Sequence, residues 1–417
     1  MPNKTISYRT QIIGILGNIL EHYDTALFGL LAPFISPLFF PKTDPITALI
    51  LTYSMLPLGC LTKPLGALYF GWLGDFISRK TALCTSLLGT ALVTIGIGCL
   101  PVYEDIGLLA PILLACFRML QSFFAAGETA GGAIFILEKS KQKNTRAFLS
   151  SLYDASTLVG IFIASFLIAL IHHQGSLSIH WRIPFWLGGL TAFIGMFLRT
   201  KTPVPQLTLP PKKQKLFSIL KEHKFLILSI ALVSGFSHST YHLAFTFMNG
   251  FMPLITTLSS SQAVQLNTLF LFLDMLLLPC FGYLSSRFGK EKMMLFGSLG
   301  CTLLTIPLFE LLDGASLIKA LTVRFILIAL GISFSAPYHA WALERVPSTH
   351  RYLILSFGFA LGSQWIGAPT SAICLWLYHI TKWHCAPGVY LAFLGLLASS
   401  IILYHKNQLK KQIPIPD

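Results

Sequence analysis

The chain has 417 residues, of which 54% are hydrophobic and only 11% charged, and its mean hydropathy is +0.69. Soluble domains carry about 25% charged residues, so this composition excludes a soluble enzyme or binding module and marks an integral membrane protein. The formal charge of +14 would suit a nucleic-acid partner, but the placement of the basic residues along the chain argues against one.

About 20 apolar residues span the hydrocarbon of a bilayer. On that rule the sequence predicts twelve membrane helices, near 10–40, 47–74, 81–101, 106–137, 147–172, 181–199, 225–256, 262–284, 293–313, 315–344, 352–378 and 387–404. The first run is too long and too acidic for a removable signal peptide, so it is expected to act as its own insertion signal. Turn chemistry such as Pro41-Lys42-Thr43-Asp44-Pro45 and Asp313-Gly314 punctuates the helix pairs. With the N-terminus inside, most of the 30 Lys and Arg fall on the cytoplasmic side, including Arg79, Lys80, Arg146, Arg199, Lys290, Arg345, Arg351 and Lys406. That asymmetry is the positive-inside pattern, and an even helix count leaves both termini cytoplasmic. Eight cysteines form no CxxC pair; seven lie in apolar segments and Cys385 stands in a loop, so neither a disulfide frame nor a metal cage is expected.

A basic, proline-containing stretch from Thr200 to Lys224 separates six segments from six. The expected organisation is a bundle at 1–199, a cytoplasmic linker at 200–224, a second bundle at 225–405 and a tail at 406–417. An internal repeat supports it. Arg118 and Glu138 superimpose on Arg324 and Glu344 at an offset of 206, and Gly71 through Arg79 matches Gly282 through Lys290 at an offset of 211. A duplicated six-helix unit is the economical explanation.

Acids inside hydrocarbon are expensive, about 2.5–3.5 kcal/mol each even on lenient scales. Glu21 and Asp24 lie three apart in the first segment and so share a helix face. They are either neutralised in a structural ion pair or form an ion- or substrate-coupling site. Gly14 and Gly17 precede them on much the same side, where small residues admit a close neighbour. Glu128 falls near mid-membrane among Gly127, Gly131 and Gly132. Arg118 keeps its proton and needs a carboxylate, from Glu21, Asp24 or Glu128, as a salt bridge or as a clamp on a substrate carboxylate. The favoured assignment makes Asp24, deeper in its segment, the proton site and Glu21 the partner of Arg118.

In the second half, Asp274 and Arg324 are expected to form a structural charge pair. Asp154, near the start of its segment, is expected in a gate network. His238 and His242, four apart, read as packing or cavity lining more readily than as metal ligands. His22, beside Glu21, is a weaker candidate proton relay. No nucleophile–base constellation or phosphate loop is present, so no enzyme, metal or cofactor is expected.

Several stretches carry a family resemblance. Lys63-Pro64-Leu65-Gly66-Ala67 followed by Gly71-Trp72-Leu73-Gly74-Asp75-Phe76-Ile77-Ser78-Arg79-Lys80 resembles the loop 2–3 signature of the major facilitator superfamily. Gly17 to Gly29, Arg118 to Ser122 with Gly127 to Gly132, and Trp181 to Phe185 resemble its metabolite:proton symporter branch, which includes proline/betaine, dicarboxylate and shikimate carriers. The resemblance implies an all-α membrane fold of twelve transmembrane helices in two pseudo-symmetric six-helix bundles around a central cavity. It also implies alternating access and uptake of a small polar metabolite at a bacterial inner membrane, with the proton as coupling ion and Na⁺ as the alternative. A zwitterion of the proline/betaine type stands ahead of a dicarboxylate, and a non-transporting receptor or scaffold is the alternative of another class. The expected partners are the small-molecule substrate and the lipid bilayer, with no nucleic acid, and the chain is expected to be a monomer.

By resemblance, Asp75 faces the start of the eleventh helix, where Ser348 or Thr349 is a candidate cap. Arg79 and Lys80 pair with nearby acids, and Tyr241 lines the substrate cavity. The chain departs from the branch at His22, Thr25, Lys63, Phe76, Ser78 and Thr129. It also departs at Ser286, where the second copy of the loop motif carries an acid.

Overall fold

The computed structural model describes residues 4–40, 48, 51–52, 55–138, 140, 143–173, 180–200 and 214–412; most of the expected basic linker, 201–213, lies outside the described residues. Twelve helical passages run through them. They are α1 (Lys4–Phe39), α2 (Gly59–Phe76), α3 (Arg79–Cys99), α4 (Leu109–Leu137), α5 (Lys143–His173) and α6 (Arg182–Thr200). Then come α7 (Lys224–Tyr241, continued by Met248–Ile255), α8 (Ser260–Phe288), α9 (Lys290–Glu310), α10 (Leu317–Ser335, continued by Tyr338–Leu343), α11 (Arg351–Leu361, continued by Thr370–Thr381) and α12 (Ala386–Gln412). Among the described residues, α3 to α6, α8 to α10 and α12 are each long and apolar enough to cross a membrane. The others are α1, the 18-residue α2, and α7 and α11, which are interrupted by π-turns at His242–Phe247 and Gly362–Gly367.

By mutual contact the chain divides into two compact units. One comprises Met1–Lys139, Ser156–Lys221 and Pro347–Phe357; the other comprises Ser140–Ala155, Glu222–Val346 and Gly358–Asp417. The division does not follow chain order: the start of α5 belongs with the second unit and the start of α11 with the first.

The first unit is organised on α1. Tyr23, Leu27, Phe28, Leu31, Ile35 and Phe39 recur at helical spacing and are buried against Val93 and Ile97 of α3, Leu114 of α4, Ile168 of α5 and Phe185 of α6. Trp181 closes this core edge-on to Phe39, with ring centroids 5.8 Å apart. Close approach of α2 to α4 needs Gly66, since a Cβ there would meet the Phe123 carbonyl oxygen at 2.1 Å.

In the second unit the two π-turns pack reciprocally. Gly362 and Gly367 of the α11 turn sit against Ala231 and His238 of α7, and the Ser371 hydroxyl of α11 donates to the His242 carbonyl in the α7 turn at 3.3 Å. Ser259 and Gln262 form a reciprocal capping box at the start of α8. Gly314 supplies the left-handed φ of 59° in the Asp313-Gly314 turn.

Candidate functional site

Three groups of polar residues lie in the first unit. The first surrounds Glu128 of α4. Arg199, in the last turn of α6, grips this carboxylate with both terminal nitrogens, Nη2 donating to Oε1 at 2.5 Å and Nη1 to Oε2. Both side chains are buried, at 2% and 1% exposure. Glycine at position 17 makes the pair possible, because a Cβ on Gly17 would lie 2.0 Å from Arg199 Nη2. Gly17 thus accommodates a guanidinium, where the sequence suggested a neighbouring helix. Arg199, counted from the sequence only among the cytoplasmic-side basic residues, is the buried partner of Glu128. Glu21 adjoins this pair, accepting from the Thr129 hydroxyl at 3.1 Å, with the His22 ring 3.6 Å from its other oxygen. His22 Nδ1 also lies 2.9 Å from the Asn18 carbonyl.

The second group surrounds Asp24, which is 1% exposed. Among the described residues, neither of its buried carboxylate oxygens has a well-formed hydrogen bond, and the Thr94 hydroxyl lies close by. Gln121 of α4 donates to the Asp24 backbone carbonyl at 3.4 Å and to the Thr94 hydroxyl at 3.1 Å. Arg118 turns toward the side-chain oxygen of that same Gln121 and lies 4.2 Å over the Phe28 ring. The expected Glu21–Arg118 pair is therefore not formed. Gln121, one turn along α4, takes the Nη1 end of the guanidinium, and Glu21 is held by Thr129. The Arg118 Nε has no hydrogen-bond partner among the described residues.

The third group is at the α2–α3 loop. Asp75, 2% exposed, accepts from the backbone N–H of Tyr352 at 3.1 Å and of Leu353 at 2.9 Å. It serves as an N-cap for α11 from a distant part of the chain, using amides that the helix leaves unpaired. Glu138, just past α4, bridges two cations, Arg79 at the start of α3 and Arg351 at the start of α11, the latter at 2.7 Å. Tyr352 donates from its hydroxyl to the Gly127 carbonyl at 2.6 Å, and Gly71, Gly74 and Gly131 make room for Tyr352 and Leu353. Lys80 bonds the Thr200 carbonyl instead of an acid.

The second unit repeats part of this pattern. Glu344, the counterpart of Glu138, pairs with Lys290 at 2.6 Å and lies 3.8 Å from Arg146 at the start of α5. Lys290 corresponds to Arg79 through the 211-residue offset. The counterpart of Asp75 is Ser286, whose hydroxyl turns back to the Gly282 carbonyl of its own helix. Asp154 pairs with His339 at 3.0 Å. Arg345 pairs with Glu291, and burial pushes its guanidinium down to about 10, leaving it a cation at neutral pH.

The expected Asp274–Arg324 pair is likewise not formed. Arg324 donates to the Ala244 carbonyl at 3.0 Å and to the side-chain oxygen of Asn267, so α7 and α8 hold it without a carboxylate. Asp274 instead lies within electrostatic reach of Asp154 and of Tyr241. Tyr241 packs on Phe245 with ring centroids 4.9 Å apart. Sequence reasoning missed Arg199, Gln121 and His339 as partners. The available signal was the Glu128 carboxylate itself, which demanded a cation from elsewhere in the chain.

Comparison with known proteins agrees with this architecture. Residues 15–257 match the profile of the Major Facilitator Superfamily, more than half of the chain. The glycine betaine/proline/ectoine/pipecolic acid transporter of Dickeya dadantii is 27% identical over 419 residues, covering 95% of this chain and 83% of its own. The proline/betaine transporter of Salmonella typhimurium is 28% identical over 403 residues, covering 92% and 80%. In three dimensions, a proton:xylose symporter superposes with a TM-score of 0.73 at 14% identity over 96% of each chain. The E. coli fucose:proton symporter does so at 0.72 and 12% identity, over 94% of this chain and 98% of its own. The chain is a multi-pass membrane transporter and belongs to the Major Facilitator Superfamily.

Proposed function

We propose that the protein imports a small polar metabolite by proton symport through alternating access, and that a zwitterion of the proline/betaine type is its cargo. The observation that carries this reading is the Asp24 carboxylate, buried among the described residues with no well-formed hydrogen bond on either oxygen and with the Thr94 hydroxyl close by. An ionised carboxylate in that setting bears a desolvation cost that a bound proton removes. Arg118, on the same Gln121-centred network, is a cation with no carboxylate partner among the described residues. A zwitterion brings one, together with an ammonium for Asp24. The named relatives transport proline and betaine, which supports the same class of cargo.

Glu128 is engaged by Arg199 and serves as scaffold, so Asp24 is the coupling residue in this reading and Glu21 a neighbour that senses its charge. Asp75, Arg79, Glu138 and Arg351 hold the start of α11 and act as a gate, with Asp154, Lys290 and Glu344 as the corresponding set in the second unit. The protein resides in a bacterial cytoplasmic membrane as a monomer, with both termini and the basic linker on the cytoplasmic side, as the distribution of Lys and Arg supports. Reporter fusions at Lys212 and Lys406 test the orientation.

Purified protein in proteoliposomes with labelled proline or glycine betaine tests the activity. An imposed proton gradient is expected to drive accumulation above equilibrium, and a protonophore to collapse it. Binding without accumulation, under a proton or a sodium gradient, would make the chain a receptor with a transporter fold.

A further inference from the structure

In the second unit, outside the three polar groups described above, three donor groups of different chemistry converge. Glu310 ends α9, His384 lies in the short connection between α11 and α12, and Cys385 immediately precedes α12. His384 Nε2 is 3.2 Å from Glu310 Oε2, and the Cys385 thiol is 2.9 Å from the same oxygen. One ligand atom from each of the three lies within 4.8 Å of the other two.

We propose that Glu310, His384 and Cys385 form a site for a borderline-soft divalent cation of the zinc type, which clamps the end of α9 to the start of α12. A tetrahedral zinc ion takes sulfur at about 2.3 Å and nitrogen or oxygen at about 2.0–2.2 Å, which places neighbouring donors about 3.3–3.6 Å apart. The His384–Glu310 separation of 3.2 Å is already close to this, and the Cys385–Glu310 separation of 2.9 Å needs to open by about 0.7 Å. Thiolate, imidazole and carboxylate together favour zinc over magnesium or calcium, which prefer all-oxygen sites. Three protein ligands leave a fourth position for water.

The backbone holds two of the ligands in place. Lys382 adopts the left-handed φ of 54° that ends α11, the Thr381 hydroxyl accepts from the Trp383 amide at 3.2 Å, and the Ala386 amide donates to the Trp383 carbonyl at 3.1 Å. Cys385 is fully buried while the Glu310 side chain is 66% exposed, so the cation reaches the buried sulfur from the solvent side of Glu310. Asp313, near Cys385, adds negative potential. On binding, the thiol proton leaves to solvent and sulfur forms the metal bond.

Cobalt(II) titration of the purified full-length protein in detergent tests this independently of transport and of membrane orientation. The wild type should take up one cobalt per chain with a sulfur-to-metal charge-transfer band and the visible bands of a tetrahedral ion, and zinc should displace it. Loss of an outer-shell partner alone weakens metal affinity about 10- to 100-fold, so Cys385→Ser and His384→Ala should weaken it at least that much. Cys385→Ser should also abolish the charge-transfer band. Glu310→Gln, at an exposed position, tests the third ligand without disturbing the buried packing and should weaken binding while leaving the metal-free melting temperature unchanged. An octahedral spectrum, no binding at equimolar cobalt, or a Glu310→Gln protein that binds as wild type would overturn the proposal.

Discussion

Arg199 and Glu128 are joined by two parallel hydrogen bonds although 71 residues separate them and both side chains are almost wholly withdrawn from solvent. Two charges in such a place are stable only together. Removing one partner of a buried pair leaves an uncompensated charge and costs about 3–5 kcal/mol. Glu128→Gln and Arg199→Met are each expected to lower the melting temperature in detergent by several degrees and to reduce the yield of folded protein. The double variant should recover much of that loss, because no lone charge remains. A double variant as unstable as the sum of the singles would show that the pair does not act as a unit.

The same pair makes position 17 intolerant of even one methyl group. Gly17→Ala drives Cβ into the Arg199 guanidinium and should destabilise the protein about as much as Glu128→Gln. Gly29→Ala, in the same helix, is the control: no described residue lies within 4 Å of a Cβ there. Replacing glycine in a helix interior by alanine ordinarily gains about 0.5–1 kcal/mol, so the control should melt no lower than wild type. Equal melting temperatures for the two variants would place Arg199 elsewhere.

Asp75 holds two amide protons at the start of α11, and its loss should appear in those amides. A lost cap costs about 0.5–2 kcal/mol. Asp75→Ala should therefore speed hydrogen exchange of the segment 351–357, by a factor of up to about 30. Ser286→Ala removes the corresponding side chain of the second repeat, whose hydroxyl is satisfied within α8, and should leave exchange at the start of α5 unchanged. Comparable protection of 351–357 in Asp75→Ala and wild type would reduce this carboxylate to a bystander.

Coupling offers a fourth test. Asp24→Asn has the shape of the protonated acid but carries no exchangeable charge. It should abolish accumulation of labelled substrate under a proton gradient while preserving exchange between loaded compartments. Arg118→Lys, which keeps charge but not the planar fork, should weaken binding of a zwitterion more than it affects folding, seen as a loss of ligand-induced thermal stabilisation. An Asp24→Asn protein that still concentrates solute would return the proton to Glu21.

The twelve helices were legible because hydrocarbon demands long apolar runs, and the 206- and 211-residue offsets disclosed the repeat. Most polar partners were not legible, for a reason visible at Arg118. Sequence reasoning assigned it a carboxylate because a buried cation needs an acceptor, yet it turns to a neutral amide one turn away. Arg324 repeats the lesson with Asn267. Arg199 failed in the opposite direction: at the end of an apolar run it read as a cytoplasmic-side charge, and only the folded chain brings it beneath Gly17. Charge balance predicts that a partner exists; helix packing decides which one.

The reciprocal π-turns of α7 and α11 have a consequence for how this chain aligns and evolves. A π-turn accommodates one residue more than an α-helical turn of the same rise, and it commonly lies at a functional position. Within each of these helices, the two flanking pieces therefore present side chains in registers offset by about 100°. A relative that lacks the extra residue would need a one-residue gap in the middle of a membrane helix, where gaps are normally penalised. Deleting one residue from His242–Phe247 would rotate everything beyond it on α7, turning Phe251 away from the Tyr378 ring of α11, 5.0 Å from its own. A matching deletion in Gly362–Gly367 is the place to look for its compensation, which makes the two turns a coupled pair of insertion sites inside helices.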